Sequence, residues 1–238
     1  MGHLVVRENS MDTKPGKFIV IDGTDGSGKG TQTELLVAAL KAKGVPVIVT
    51  DFPQYGKPSA YFVEKYLRGE YGGADEVGAK RASLFYALDR FDVAAQMRQW
   101  LAEGNCIVSN RYVSASMGHQ AGKIKDVAAR DAFLEWLDEL EYEICGIPRP
   151  DATIFLYVPP EVGQQLVDQK GERTYTGGKQ RDIHEASINH LRDASEAYKY
   201  VADKFAWKTV TCAPDGVMRS REDIHDEVCT IVHALLEQ

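Results

Sequence analysis

Residues 23–31 read Gly23-Thr24-Asp25-Gly26-Ser27-Gly28-Lys29-Gly30-Thr31, after the apolar run Phe18-Ile19-Val20-Ile21 and before Gln32-Thr33-Glu34-Leu35-Leu36. An apolar strand, a glycine-rich turn and a helix, in that order, are the context of a phosphate-binding loop. Glycine lets the backbone close around a polyphosphate, because a side chain there blocks the approach or resists the dihedrals. Successive N–H groups then point inward, and the helix start adds unpaired donors and the positive end of its dipole. Lys29 supplies a point charge able to reach the β- and γ-phosphates. The spacing G-x-x-x-x-G-K is met, with Gly30 where Ser or Thr is usual and Thr31 one place later. Thr31 is therefore the candidate hydroxyl on the magnesium side. Gly23, Asp25, Gly26, Ser27, Gly28, Lys29, Gly30 and Thr31 form the candidate set for a nucleotide's phosphates. A glycine-rich turn can also simply join a strand to a helix; glycines, Lys and Thr coinciding at this spacing favour the phosphate.

Outward from the loop, strand and helix alternate. A helix is expected from about Lys29 to Lys43, stopped by Gly44 and Pro46, with Leu36, Ala39, Leu40 and Lys43 on one face. Val45 to Val49 is continuously apolar and predicts a strand covered on both faces. A long helix follows from about Asp75 to Ala102, with Leu84, Leu88, Phe91, Ala95 and Leu101 near helical spacing, and Cys106-Ile107-Val108 is a third strand. Val127 to Cys145 is helical with Phe133, Leu137, Leu140 and Ile144, and Thr153 to Val158 is a fourth strand. A helix carrying Leu191, Ala194, Tyr198, Val201 and Phe205 leads to a fifth strand at Thr209-Val210-Thr211, and Ile224, Val228, Ile231 and Leu235 mark the last helix. The fold class is α/β, with about five parallel strands, helices on both faces and right-handed crossovers, and ligands at the carboxyl ends of the strands. One domain over residues 17–238 is expected, behind an N-terminal tail over residues 1–16.

The 238 residues carry a net charge of −7, which argues against broad nucleic-acid binding and requires any cations for a nucleotide to be gathered locally. No apolar run nears a membrane span, and no signal-peptide core opens the chain, so a cytoplasmic protein away from membranes is expected. Cys106, Cys145, Cys212 and Cys229 lie far apart and read as reduced thiols rather than a metal or disulfide set. His184 and His190 read as surface or cap residues, since no ligand spacing surrounds them. The stretch from Asp168 to Asp182 breaks the helical pattern with three glycines and carries Lys170, Arg173, Lys179 and Arg181. Beside a phosphate-binding loop, such a basic insert suits a lid closing over phosphates better than a solvated loop.

Each strand end carries polar groups: Asp22 and the loop, then Asp51-Phe52-Pro53-Gln54-Tyr55, then Ser109-Asn110-Arg111-Tyr112, with Asp89-Arg90 on the long helix. Converging on one crevice, Arg90 and Arg111 can meet a second anionic ligand. Two arginines and a lid are what phosphoryl transfer requires, because that chemistry rests on positioning and charge neutralisation.

The loop bearing Asp25, Phe52-Pro53, Asp89-Arg90, Asn110-Arg111-Tyr112 with Gln120 following, and the basic insert before Asp182-Ile183-His184-Glu185 together resemble thymidylate kinases, P-loop nucleoside monophosphate kinases. The resemblance runs from about Lys17 to the last helix. It implies transfer of the γ-phosphoryl group of ATP to dTMP, giving dTDP and ADP for dTTP synthesis, with Mg2+ and a homodimeric assembly. It further implies that Asp25 bonds the sugar 3′-hydroxyl, that Phe52 and Pro53 pack on the nucleoside, and that Tyr86 or Phe85 stacks on thymine. Gln120 then reads the base, Arg90 and Arg111 hold the acceptor phosphate, and Lys29 and Arg111 act in catalysis. The family keeps a catalytic arginine in the loop or in the lid; Gly26 and Ser27 occupy the loop here, so Arg173 and Arg181 are the candidates. Asn110 stands where the family commonly has Asp, and Tyr55 where Arg is frequent. Two alternatives stay open: a kinase for another nucleoside monophosphate or a deoxynucleoside, and a nucleotide switch without turnover. The guanine-reading N-K-x-D stretch of GTP switches is absent from the sequence.

Overall fold

The apolar run before the loop becomes β1 (Phe18–Gly23), a strand with every residue buried. Its side chains alternate between two cores: Phe18 and Val20 enter one, Ile19 and Ile21 the other. A strand apolar on both faces is stable only when helices cover both, and this one lies at the centre of the sheet. The computed structural model describes residues 14–168 and 188–237. Five parallel strands lie in the order β2 (Val47–Asp51), β3 (Cys106–Asn110), β1, β4 (Ala152–Tyr157) and β5 (Lys208–Thr211). On one face pack α1 (Lys29–Ala42) and α8 (Arg221–Leu236), through Leu36, Leu40, Ile224 and Val228. On the other pack α3 (Ala74–Ala102), α4 (Val113–Ala121), α5 (Val127–Asp138) and α7 (Ile188–Lys204). The expected α/β class and strand count therefore hold.

Two local expectations change. Val45 to Val49 does not become a strand covered on both faces: β2 is an edge strand, and Val49 is 50% exposed. The spacing of Leu84, Leu88 and Phe91 is helical, yet those side chains point outward, and α3 buries Ala82, Ala87, Asp89, Arg90, Ala94 and Met97 instead. Small residues on that face allow α3 close to the sheet, and the larger apolar ones are left outside. Two helices flanking the site, α2 (Tyr61–Leu67) and α4, and the short α6 (Pro160–Asp168) went unread, being too short for a periodic signal.

Cys106 and Cys212 are buried, and burial raises their thiols, to about 11 for Cys106 and about 12 for Cys212. All four cysteines are free thiols. Among the described residues no helix is long and apolar enough to cross a membrane. The N-terminal tail up to residue 13 and nearly all of the basic insert, with Lys170, Arg173, Lys179 and Arg181, lie outside the described residues.

Candidate active site

The turn between β1 and α1 has the geometry its glycines predict. Gly26 and Gly28 have φ of 82° and 85°, a region costly for residues with a Cβ. At Gly26 a Cβ would also lie 2.3 Å from the carbonyl oxygen of Gly163 in α6, so the close approach itself excludes a side chain. At Gly28 and Gly30 the space is open, which leaves the helix start accessible to an anion. Lys29 Nζ donates to the carbonyl oxygens of Gly23 at 3.0 Å and Thr24 at 2.8 Å and lies 3.8 Å from Asp25 Oδ1. The hydroxyls of Thr24 and Ser27 are buried with no hydrogen-bond partner and lie outside the cavity lining.

A cavity of about 380 Å³ opens from this loop at the carboxyl ends of β1, β2 and β3. Parallel pairing sets Asp51 beside Asn110, whose Nδ2 donates to Asp51 Oδ1 at 3.0 Å. Asp51 is open to the cavity, but the surrounding protein still desolvates it, and this raises its carboxyl above the ordinary range against the pull of Arg111 and Lys29. Arg111 follows β3 in the left-handed region, at φ 63°, a conformation worth on the order of 1–3 kcal/mol of strain for a residue with a side chain. Two bonds hold it there: its N–H donates to Ile21 O at 3.0 Å, and Ser109 Oγ donates to its carbonyl at 2.7 Å. The strained backbone turns the guanidinium onto Asp25, with Nη1 also 3.1 Å from His119 Nε2. A guanidinium only donates, so in this contact His119 Nε2 is the acceptor.

Asp22 does not face this group. Its carboxylate accepts from Gly23 N at 2.7 Å, from Tyr198 OH at 3.0 Å and from Ser114 Oγ, and it is fully buried as the anchor of the loop's first residue. Tyr198 accordingly packs as a core residue, stacked on Phe155.

The remaining wall comes from α3 and α4. Asp89 and Arg90 are adjacent but have separate duties. Asp89 accepts from Gln54 N at 2.9 Å and Ser59 Oγ at 2.7 Å, which pins the segment carrying Phe52 and Pro53. Arg90, 1% exposed, donates from Nε to Glu141 Oε2 at 3.0 Å, from Nη1 to Tyr112 O at 3.2 Å, and from Nη2 to Ser116 Oγ at 3.0 Å and to Glu141 Oε1. Those bonds use four of its five N–H groups. Gln120 is 1% exposed with its Oε1 buried and unpartnered, and it lines the cavity. Tyr86 lines the cavity too, whereas Phe85 turns away to stack on Phe62 at 5.9 Å.

The cavity thus gathers Asp25, Gly26, Gly28, Lys29, Gly30, Phe52, Pro53, Tyr86, Arg90, Arg111 and Gln120 from the sequence-read set. Gly23, Ser27 and Thr31 are not in the lining; Thr31 sits half-buried on the first turn of α1. Arg173 and Arg181 fall outside the described residues. Sequence reading missed His119, Ser116 and Glu141, none of which stands in a motif.

A model of the thymidylate kinase family matches residues 21–219. The chain belongs to that family. It is 35% identical over 179 residues to the thymidylate kinase of Mycobacterium tuberculosis, covering 74% of this chain and 78% of that one. To the thymidylate kinase of Plasmodium falciparum it is 28% identical over 217 residues, covering 91% and 90%. Among solved structures, the thymidylate kinase of Candida albicans superposes with a TM-score of 0.71 over 92% of each chain at 18% identity, which supports the fold.

Proposed function

We propose that this chain transfers the γ-phosphoryl group of ATP to dTMP, giving dTDP and ADP. Membership of the thymidylate kinase family supports the reading, and one observation carries it: a phosphate loop opens into the same cavity as a buried, unpartnered amide oxygen on Gln120. The loop takes the ATP phosphates. The imide N–H of thymine is a donor suited to the Gln120 oxygen, with Tyr86 and Phe52 as apolar faces for the ring.

Little covalent work falls to the protein. An oxygen of the dTMP phosphate, already anionic near neutral pH, forms the new bond to the γ-phosphorus, and the bond to the β,γ-bridging oxygen breaks to release ADP. The protein holds two anions in line and screens them. Lys29 and the loop amides act on the ATP side, and Arg111, turned into the cavity by its strained backbone, acts on the acceptor phosphate. Arg90 suits a different partner: paired with Glu141 it has little net charge left for a phosphate, and its one uncommitted N–H fits a carbonyl oxygen of the base. Asp25 is placed to meet the sugar. Magnesium neutralises phosphate charge when bound. Asp25 and Asp51 line the same cavity and would be the carboxylates able to hold it there. Thr31 would have to reach it from outside the lining.

A homodimer belongs to the same reading. Leu84, Leu88 and Phe91 form an outward apolar stripe on α3, with Phe62 nearby, and such a patch is suited to a second copy. Leu88→Glu with Phe91→Glu should halve the mass seen by light scattering. The working place of such an enzyme is the cytoplasm, where ATP and dTMP meet. Coupled ADP release tests the activity: release that depends on dTMP and exceeds that with dCMP, AMP or thymidine is expected, and slow release indifferent to dTMP would overturn the reading.

A further inference from the structure

Helix α5 does not stop at Asp138. The chain continues through Glu139–Ile144 as a π-helical turn in which Cys145 N–H donates to Leu140 O at 2.9 Å, a step of five residues instead of four. A wider turn lags behind the α-helical rotation, so side chains after Asp138 leave the positions that Phe133 and Leu137 would set for them. Ile144, eleven residues after Phe133 and due on the buried face of a regular helix, is 68% exposed. Glu141 has no exposed surface.

An acid in that interior needs a partner, and it has one on another helix. Both carboxylate oxygens of Glu141 accept from Arg90, one from Nε at 3.0 Å and one from Nη2, in the side-on arrangement that fixes the guanidinium plane. Ser116 Oγ and Tyr112 O hold the remaining edges. Stability alone is a poor reason for such a pair, because well-packed apolar residues commonly do as well in its place. A bare guanidinium here would also attract the acceptor's phosphate away from Arg111 and admit the nucleotide in reverse. Neutralising it removes that competitor.

Resting on the reading of the site given above, we propose that Glu141 is a positioning residue that locks the plane of Arg90 and cancels its charge, so that Arg90 meets the pyrimidine as a hydrogen-bond donor and leaves the phosphate to Arg111.

The test compares Glu141→Gln with the parent by calorimetry against thymidine, dTMP and a non-hydrolysable ATP analogue, together with steady-state kinetics. Thymidine and dTMP should both weaken by about tenfold or more, KM for dTMP should rise while kcat stays within about threefold, and the ATP analogue should bind as before. Weakening confined to dTMP would mean that Arg90 holds the phosphate, and it would overturn the proposal while leaving the kinase reading in place. A fall in kcat at unchanged KM would overturn it as well. A parent chain that binds neither thymidine nor dTMP would instead remove the kinase reading itself, and the proposal with it. If Glu141→Gln does not fold, Glu141→Asp carries the test. It keeps the charge but retracts the carboxylate by one methylene, and parental thymidine affinity in that folded variant would overturn the positioning role.

Discussion

The two sides of the cavity handle charge in opposite ways. On the loop side, held by the ends of β1, β2 and β3, Lys29 and Arg111 share the nearby acids Asp25 and Asp51 and line the cavity. On the helix side, Arg90 is held by Glu141, Ser116 and Tyr112, with one N–H left over, and the neutral amide of Gln120 has an unmet acceptor. On the proposed reading, the cations left to the cavity are those that counter phosphate charge, while the cation assigned to the uncharged base is balanced in advance. On that reading, the difference would separate the phosphates of dTMP and ATP from the base without any barrier between them.

The loop side should show the largest effect. Lys29→Ala removes the charge at the helix start, and kcat/KM for both substrates should fall by about 10² to 10³, with the far-UV circular dichroism of the parent retained. A fall of less than tenfold would mean that this side does not carry the phosphates. Arg111→Lys keeps the charge but loses the fork that reaches Asp25 and His119 together, so kcat/KM should drop by about 10². An intact rate would show that charge alone suffices there and that the strained backbone at φ 63° has no catalytic purpose. On the helix side, Gln120→Leu should lower kcat/KM for dTMP by about tenfold or more through loss of base recognition and leave ATP binding untouched. A change in ATP affinity would break the division between the two sides.

The same division governs how much the sequence discloses. The loop was legible because its function depends on glycines and a lysine at fixed spacing within nine residues, and the strand ends were legible because a parallel sheet brings them together. Arg111 was legible as a cation, but its left-handed backbone was not, since nothing local marks an arginine for that region; the Ile21 and Ser109 bonds that hold it are tertiary. Glu141 was not legible. It stands among Asp138, Glu139 and Glu143, which all look alike in sequence, and its partner is 51 residues away on a different helix. The α3 stripe misleads for a related reason. Helical spacing reports a face but not its direction, and the buried face there is built of alanines that carry little apolar signal. Arg90 was read as a phosphate ligand from its type, while its pairing alters what its charge can do.

Lys123 gives the smallest effect and the sharpest check on whether the helix side must balance its cations. It lies just beyond α4, two turns from Ser116, and its ammonium donates to Tyr66 OH at 2.8 Å and Ala74 O at 3.0 Å. These are neutral acceptors, and burial pushes its pKa down to about 8, with Asp75 opposing weakly. The folded state therefore prefers the neutral amine more than the unfolded chain does. Between about pH 8 and 10 the unfolded chain binds the extra proton, so this residue's contribution to stability rises with pH, by on the order of 1–3 kcal/mol. Lys123→Met should remove that rise, so the parent gains stability relative to the variant as pH increases, while turnover at pH 7 stays close to parental. Chemical denaturation of both chains at pH 7 and pH 9.5 measures the gap. A gap that does not change with pH would show that Lys123 is already balanced, and that compensation on this side extends beyond the arginine facing the base.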